Sequence, residues 1–268
     1  MSLYISHHLC ANIVPVLFRT FVRAYVRPHV TGTDNLPEEG AFILAANHNS
    51  HADTAVLFTA LPGAVRRRSL AAAAQDYFFD RGLRQTVSRI LFNVIPVSRD
   101  SGGGQNPLRH VIRALREGYG VLLYPEGTRS LHGTVGPFRK GIGRLIAEFP
   151  DVPVIPVWIE GTTRVMPKGQ NIPQPRKVEV HFGEPLYPHA DLHNKSSWQV
   201  AADKVRDAVI LTGEKAMQEQ ADEASDTDEP ETPDQITQSD AASDAAVELP
   251  EPDPPTEPAQ LRDRKKTE

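Results

Sequence analysis

From Ala41 onward, short apolar runs alternate with stretches of helical periodicity, and few architectures accommodate that alternation. AFILAAN (Ala41 to Asn47), Ser69 to Ala74, NVIPV near Val94 to Val97, VLLYP (Val121 to Pro125), VPVIPVWI (Val152 to Ile159) and KVEVHF (Lys177 to Phe182) read as strands. Asp76 to Phe92, Asn106 to Glu117, Phe138 to Phe149 and Trp198 to Leu211 read as helices, the second with Leu108, Ile112 and Leu115 on one face. The pattern predicts an α/β fold, a mainly parallel central sheet flanked by helices. Such a sheet gathers ligands at the carboxyl ends of its strands. Two polar clusters stand directly after predicted strands.

The first is Asn47-His48-Asn49-Ser50-His51-Ala52-Asp53. On one ideal helix, residues five apart lie about 140° from each other and do not meet. With His48 in a strand-to-helix turn and Asp53 in the first helical turn, the carboxylate reaches the imidazole. An imidazole oriented by a carboxylate has a fixed tautomer and suits a general base. His51 competes for that role, and a polar turn with a capping residue is the plainer alternative. The second cluster is Tyr124-Pro125-Glu126-Gly127-Thr128-Arg129-Ser130. Gly127 lets backbone approach a ligand closely, and Arg129 can grip a phosphate with two parallel hydrogen bonds. Arg99, after NVIPVS, adds a cation at a neighbouring strand end. A structural ion pair between Glu126 and one arginine is the alternative here.

Charge divides the chain. Residues 1–213 carry 24 Lys or Arg against 17 Asp or Glu, a net +7, whereas residues 214–268 carry 5 against 17, a net −12. The last segment is rich in proline and poor in apolar side chains, which predicts a disordered acidic tail. Residues 31–213 are then the globular domain that carries both polar clusters, and residues 1–30 a separate segment. Val14, Leu17, Phe18, Phe21, Val22 and Tyr25 there form an apolar face, while Arg19, Arg23 and Arg27 form a basic stripe. That pattern suits a helix lying in a membrane interface, or one packed on the domain with a solvated arginine edge. No window approaches 18 apolar residues without charge, so no spanning helix is expected. The opening MSLYISHHL lacks a secretory signal pattern, giving the cytoplasm as the expected compartment.

Other chemistries fit poorly. The lone Cys10 rules out an intrachain disulfide and a cysteine-rich zinc site, and His48 with His51 offers too few ligands for a metal. Gly102-Gly103-Gly104 has no phosphate-loop lysine, and no Gly-x-Ser-x-Gly elbow occurs. Arg66-Arg67-Arg68 lacks the interleaved aromatics of a nucleic-acid surface and better suits anionic lipid headgroups.

Taken together, the motifs resemble those of the glycerolipid acyltransferase superfamily, of the lysophosphatidic acid acyltransferase type, over roughly Phe42 to Leu186. His-x4-Asp matches His48 and Asp53, and Phe-Pro-Glu-Gly-Thr-Arg-Ser matches YPEGTRS with Tyr124 in place of phenylalanine. The Val-Pro-Val stretch appears at Val154 to Val157 and the closing Gly-Glu-Pro-Leu at Gly183 to Leu186. The second motif, Gly-x-x-Phe-Ile-x-Arg, keeps only its arginine, Arg99. The resemblance implies transfer of a fatty acyl group from acyl-CoA or acyl-carrier protein to the free hydroxyl of lysophosphatidic acid. No bound cofactor, metal or nucleic acid is implied. On that carry-over, His48 is the base and Asp53 orients it. Glu126, Gly127, Thr128 and Arg129 belong to acceptor binding, and Arg99 to the phosphate contacts. It also implies a peripheral or monotopic enzyme on the cytoplasmic face of an anionic membrane. Another lysophospholipid or an amine-bearing lipid as acceptor, and a non-catalytic lipid-binding or scaffold protein, are the alternatives.

Overall fold

The computed structural model describes residues 15–74, 93–97, 106–130, 133–165 and 174–226. The strands are β1 (His29–Thr31), β2 (Phe42–Ala46), β3 (Ser69–Ala74), β4 (Ile95–Val97), β5 (Gly120–Leu123), β6 (Val154–Glu160) and β7 (Glu179–Phe182). The helices are α1 (15–26), α2 (Asp53–Ala60), α3 (Gly63–Arg67), α4 (Arg109–Arg116), α5 (Gly141–Glu148), α6 (Thr162–Val165) and α7 (Lys195–Asp226). The seven strands form one sheet in the order β1-β7-β6-β2-β5-β3-β4. Every pairing is parallel except β6 with β7.

The unbroken apolar runs have a physical cause, since a sheet covered on both faces buries successive side chains in two different cores. Phe42, Leu44 and Ala46 of β2 join Val56 and Leu57 of α2 and Val22 and Val26 of α1 on one face. Ile43 and Ala45 join Ile112 and Leu115 of α4, Leu145 of α5 and Val205 of α7 on the other. Pro156 lies within a central strand without breaking it. The register sum shifts by one between Val157↔Phe182 and Val154↔Leu186, a bulge at which the missing proline N–H leaves no gap in the ladder to β2.

The N-terminal helix packs on the domain along one face. Val22 and Val26 are buried, whereas Leu17 and Phe21 are 63% and 57% exposed. The tail boundary needs a correction. The closing helix does not stop near Leu211, and its regular structure runs past Glu214 to Asp226. Ala216 is buried there, and the Gln220 amide donates to the Glu179 carboxylate of β7. Burial pushes the Glu179 carboxyl up, but bonds from Lys177, Gln220 and His181 outweigh it and hold the group below its ordinary range. A few inward contacts thus hold a helix whose average composition is polar. The expected helix over Asp76 to Phe92, the glycine run 102–104 and Arg99 lie outside the described residues.

Candidate active site

Both polar clusters sit at the carboxyl ends of adjacent parallel strands, the first after β2 and the second after β5. At the end of β2, Asn47 is buried and extends the ladder with its side chain. Its Nδ2 donates to the Ile159 carbonyl at 2.9 Å, and its Oδ1 accepts the Ile159 N–H at 2.8 Å. The chain then turns sharply into α2, whose first residue is Asp53. That turn closes the gap an ideal helix would leave, and His48 Nδ1 lies 2.8 Å from Asp53 Oδ2. The same oxygen accepts the backbone N–H groups of Asn49 at 2.7 Å and Ser50 at 2.9 Å. Asp53 is fully buried at the first turn of a helix, where a negative charge is favoured. A carboxylate only accepts, so the proton on His48 sits on Nδ1 and Nε2 is left for the cavity that His48 lines. His51 is exposed at the rim of the same cavity.

The second cluster holds the first in place. Glu126 is buried, and its Oε1 accepts the His48 backbone N–H at 3.0 Å while Oε2 accepts the Gly136 N–H at 2.9 Å. The Ser130 N–H donates to the His48 carbonyl at 2.7 Å. His48 is therefore gripped through both of its backbone polar groups. Each Glu126 oxygen accepts one backbone N–H, and Glu126 lies outside the walls of the large cavity, lining instead a smaller pocket with Thr128, Gly136 and Arg139. Gly127 adopts φ +72°, and a Cβ there would stand 2.6 Å from Arg139 Nε, so the turn requires glycine. Thr128 and Arg129 are exposed and line the cavity.

Tyr124, the departure from the phenylalanine of the third motif, stacks on His48 with ring centroids 4.0 Å apart and planes 19° apart. Its hydroxyl shares a 3.1 Å hydrogen bond with Thr54 Oγ1. Burial, then the Asp53 charge, pushes that hydroxyl well above its ordinary range, so it stays neutral. Removing the stack in Tyr124→Leu forfeits about 0.5–1.5 kcal/mol and is expected to lower kcat by up to about tenfold. Tyr124→Phe keeps the stack and should lose less than about threefold. Steady-state kinetics on the two variants checks the ordering.

The cavity holds about 960 Å³. Leu108, Leu123, Ile142 and Leu145 give it apolar walls, and Ala71 to Ala73 of β3 keep it open. Arg129, Arg139, Lys140 and Arg144 line it as well, and no Asp or Glu does so among the described residues. The last three cations were visible in the sequence as FRKGIGRL, but the stretch reads there only as a helix.

Comparison with known proteins gives the family. Residues 27–160 match the Acyltransferase family. A 1-acyl-sn-glycerol-3-phosphate acyltransferase of Bacillus subtilis is 25% identical over 196 residues, covering 73% of this chain and 90% of that one. A chloroplastic 1-acyl-sn-glycerol-3-phosphate acyltransferase of Brassica napus is 27% identical over 190 residues, covering 68% of this chain. Tafazzin of Drosophila melanogaster is 24% identical over 197 residues, again 68% of this chain. The chain spans 50% of the plant relative's length and 52% of the fly relative's. The crystal structure of the 1-acyl-sn-glycerophosphate acyltransferase of Thermotoga maritima superposes with a TM-score of 0.58 at 24% identity, over 77% of this chain and 81% of that one, which shows a shared fold. With its motifs placed at the strand ends and half its length matching the family, the chain belongs to the acyltransferase family of the glycerolipid acyltransferase superfamily.

Proposed function

We propose that the chain transfers a fatty acyl group from an acyl thioester to the free hydroxyl of lysophosphatidic acid, giving phosphatidic acid. The observation that carries the reading is the 2.8 Å His48–Asp53 pair, at a cavity with apolar walls and a cationic lining. An alcohol is a weak nucleophile, so its proton must leave as it attacks. His48 Nε2 takes the hydroxyl proton while the oxygen bonds to the thioester carbonyl carbon. The tetrahedral intermediate then collapses, the C–S bond breaks, and the thiolate recovers the proton from His48. Asp53 holds the imidazole in the required tautomer throughout. Arg129, and Arg99 as the resemblance implies, bind the acceptor's phosphate, and Gly127 and Thr128 complete the acceptor site next to Arg129. The apolar walls accept hydrocarbon.

A labelled acyl-CoA and acyl-carrier protein, offered with a panel of lysophospholipids and amine-bearing lipids, test the reading. Labelled phosphatidic acid as the main product is expected. Preferential labelling of another lipid would replace the acceptor, and release of free fatty acid alone would make the enzyme a thioesterase.

The reaction is placed at the cytoplasmic surface of an anionic membrane, with peripheral attachment. Among the described residues no helix is long and apolar enough to cross a bilayer. The Arg66 guanidinium of α3 is held below its ordinary range first by burial and then by the charges of Arg19, Arg23 and Arg67, so two helices bring four arginines together. Each such cation contributes about 1 kcal/mol near an anionic surface. Arg23→Ala with Arg67→Ala should therefore weaken binding to phosphatidylserine-containing vesicles by at least about tenfold. Cosedimentation unchanged by the substitutions, or equal on neutral vesicles, would remove the electrostatic attachment. Point substitutions serve better than deletion of the segment, because Val22 and Val26 belong to the core.

A further inference from the structure

Assigning the acceptor's phosphate to Arg129 leaves three cations of the cavity without a counterpart. A phosphomonoester carries about −1.5 to −2 charges at neutral pH, which one or two guanidinium groups satisfy. Arg139, Lys140 and Arg144 come instead from a single segment, the turn into α5 and the first part of that helix. None of the three carries an ion pair among the described residues. Three like charges on one short segment, facing a cavity with no Asp or Glu among its described lining residues, repel one another, and an anion bound there relieves that repulsion.

This wall of the cavity is also rigidly built. The Arg144 guanidinium lies over the Trp198 ring, 5.9 Å from its centroid, and Trp198 Nε1–H donates to the Asp191 carbonyl at 2.8 Å. Gln199 Nε2 donates to the Phe138 carbonyl at 3.0 Å, tying α7 to the chain just before Arg139. Gly143 meets the Trp198 backbone so closely that a Cβ has no room, which locks α5 against α7. Arg139 uses Nε on the Glu126 carbonyl at 3.2 Å, and its terminal nitrogens remain for a ligand.

We propose that Arg139, Lys140 and Arg144 form a second anion site, distinct from the acceptor's, that takes the nucleotide phosphates of a coenzyme A thioester. The identity of the ligand rests on the acyl-transfer reading. Coenzyme A brings a 3′-phosphate and a pyrophosphate, enough charge for three cations. A carrier protein's phosphopantetheine brings one phosphodiester. The site thus selects between the two donor classes and favours the nucleotide.

The test is calorimetric titration of the full chain with adenosine 3′,5′-bisphosphate and, separately, with glycerol 3-phosphate. Lys140→Ala with Arg144→Ala should weaken the bisphosphate at least about tenfold, the loss of one to two charge-assisted hydrogen bonds, and leave glycerol 3-phosphate within about twofold. Lys140→Arg, which keeps the charge and leaves the Arg144–Trp198 contact untouched, should keep bisphosphate binding within about threefold, separating charge from damage to the fold. In kinetics the double alanine variant should raise KM for acyl-CoA by a similar factor and KM for acyl-4′-phosphopantetheine much less. The proposal falls if the wild-type chain shows no saturable bisphosphate binding, if the alanine variant binds it unchanged, or if glycerol 3-phosphate weakens equally. Absence of any acyl transfer would overturn the activity instead, and the titration would still decide the anion site.

Discussion

His48→Ala is expected to lower acyl transfer by about a thousandfold, the size of a general-base contribution, and to leave the fold intact. The chemistry sets the first half of that expectation. Without Nε2 no other base among the described residues is placed in the cavity to take the hydroxyl proton, since His51 lies exposed at the rim and the Asp53 carboxylate is sealed beneath the imidazole. Packing sets the second half. Truncation removes one of the three donors on Asp53 Oδ2, but Asn49 and Ser50 still donate backbone N–H groups to it. The grip on the residue itself is through its backbone, which alanine retains, at Glu126 and Ser130. A thermal midpoint within a few degrees of wild type and an unchanged far-ultraviolet spectrum are the controls. Transfer above about a tenth of the wild-type rate would sink the assignment of His48 as base. So would an equal loss in Ser50→Ala, which leaves the imidazole and its carboxylate in place.

The parts of this arrangement that were legible in sequence share a cause. β2, β5 and β6 are buried on both faces, so each needs an unbroken apolar run, and the polar residues that follow mark the strand ends where ligands gather. The short β1 offers three residues and no pattern, and α2 is buried on most sides and so lacks an amphipathic period. β1 had no signal to read, and of α2 only the first turn, at Asp53, was anticipated. The helical reading of Phe138 to Phe149 began too early, because Phe138 is buried by the loop and the Arg139 N–H is drawn to the Pro125 carbonyl before the helix starts at Gly141. Within the site, residue types were readable and their lone pairs were not. His48 and Asp53 are joined by a local turn, which spacing can anticipate. Glu126 is committed by the backbone N–H groups of His48, 78 residues away, and of Gly136, and only the fold brings those donors to it.

Glu126 therefore carries the second large expectation, one that separates holding the catalytic residue from holding the substrate. Glu126→Ala leaves the His48 and Gly136 N–H groups without their acceptor in a partly buried setting, at up to about 1–3 kcal/mol each. For a domain of this size that is a thermal midpoint lower by about 5–15 °C. Glu126→Gln is the sharper probe because it keeps the volume. The amide oxygen can still accept one N–H, but its NH2 group must face the other donor, so about half of the loss should persist. In both variants the His48 backbone gains freedom, and a displacement near 1 Å at a reacting group costs on the order of a hundredfold. The loss should fall on kcat, with the acceptor's KM within about threefold, since Arg129 and the cavity walls are untouched. An Arg129→Ala variant should show the opposite split, with KM for the phosphorylated acceptor raised and kcat less affected. If Glu126→Gln instead raises the acceptor's KM at unchanged kcat and stability, its carboxylate touches substrate, and the two backbone bonds are incidental to its role.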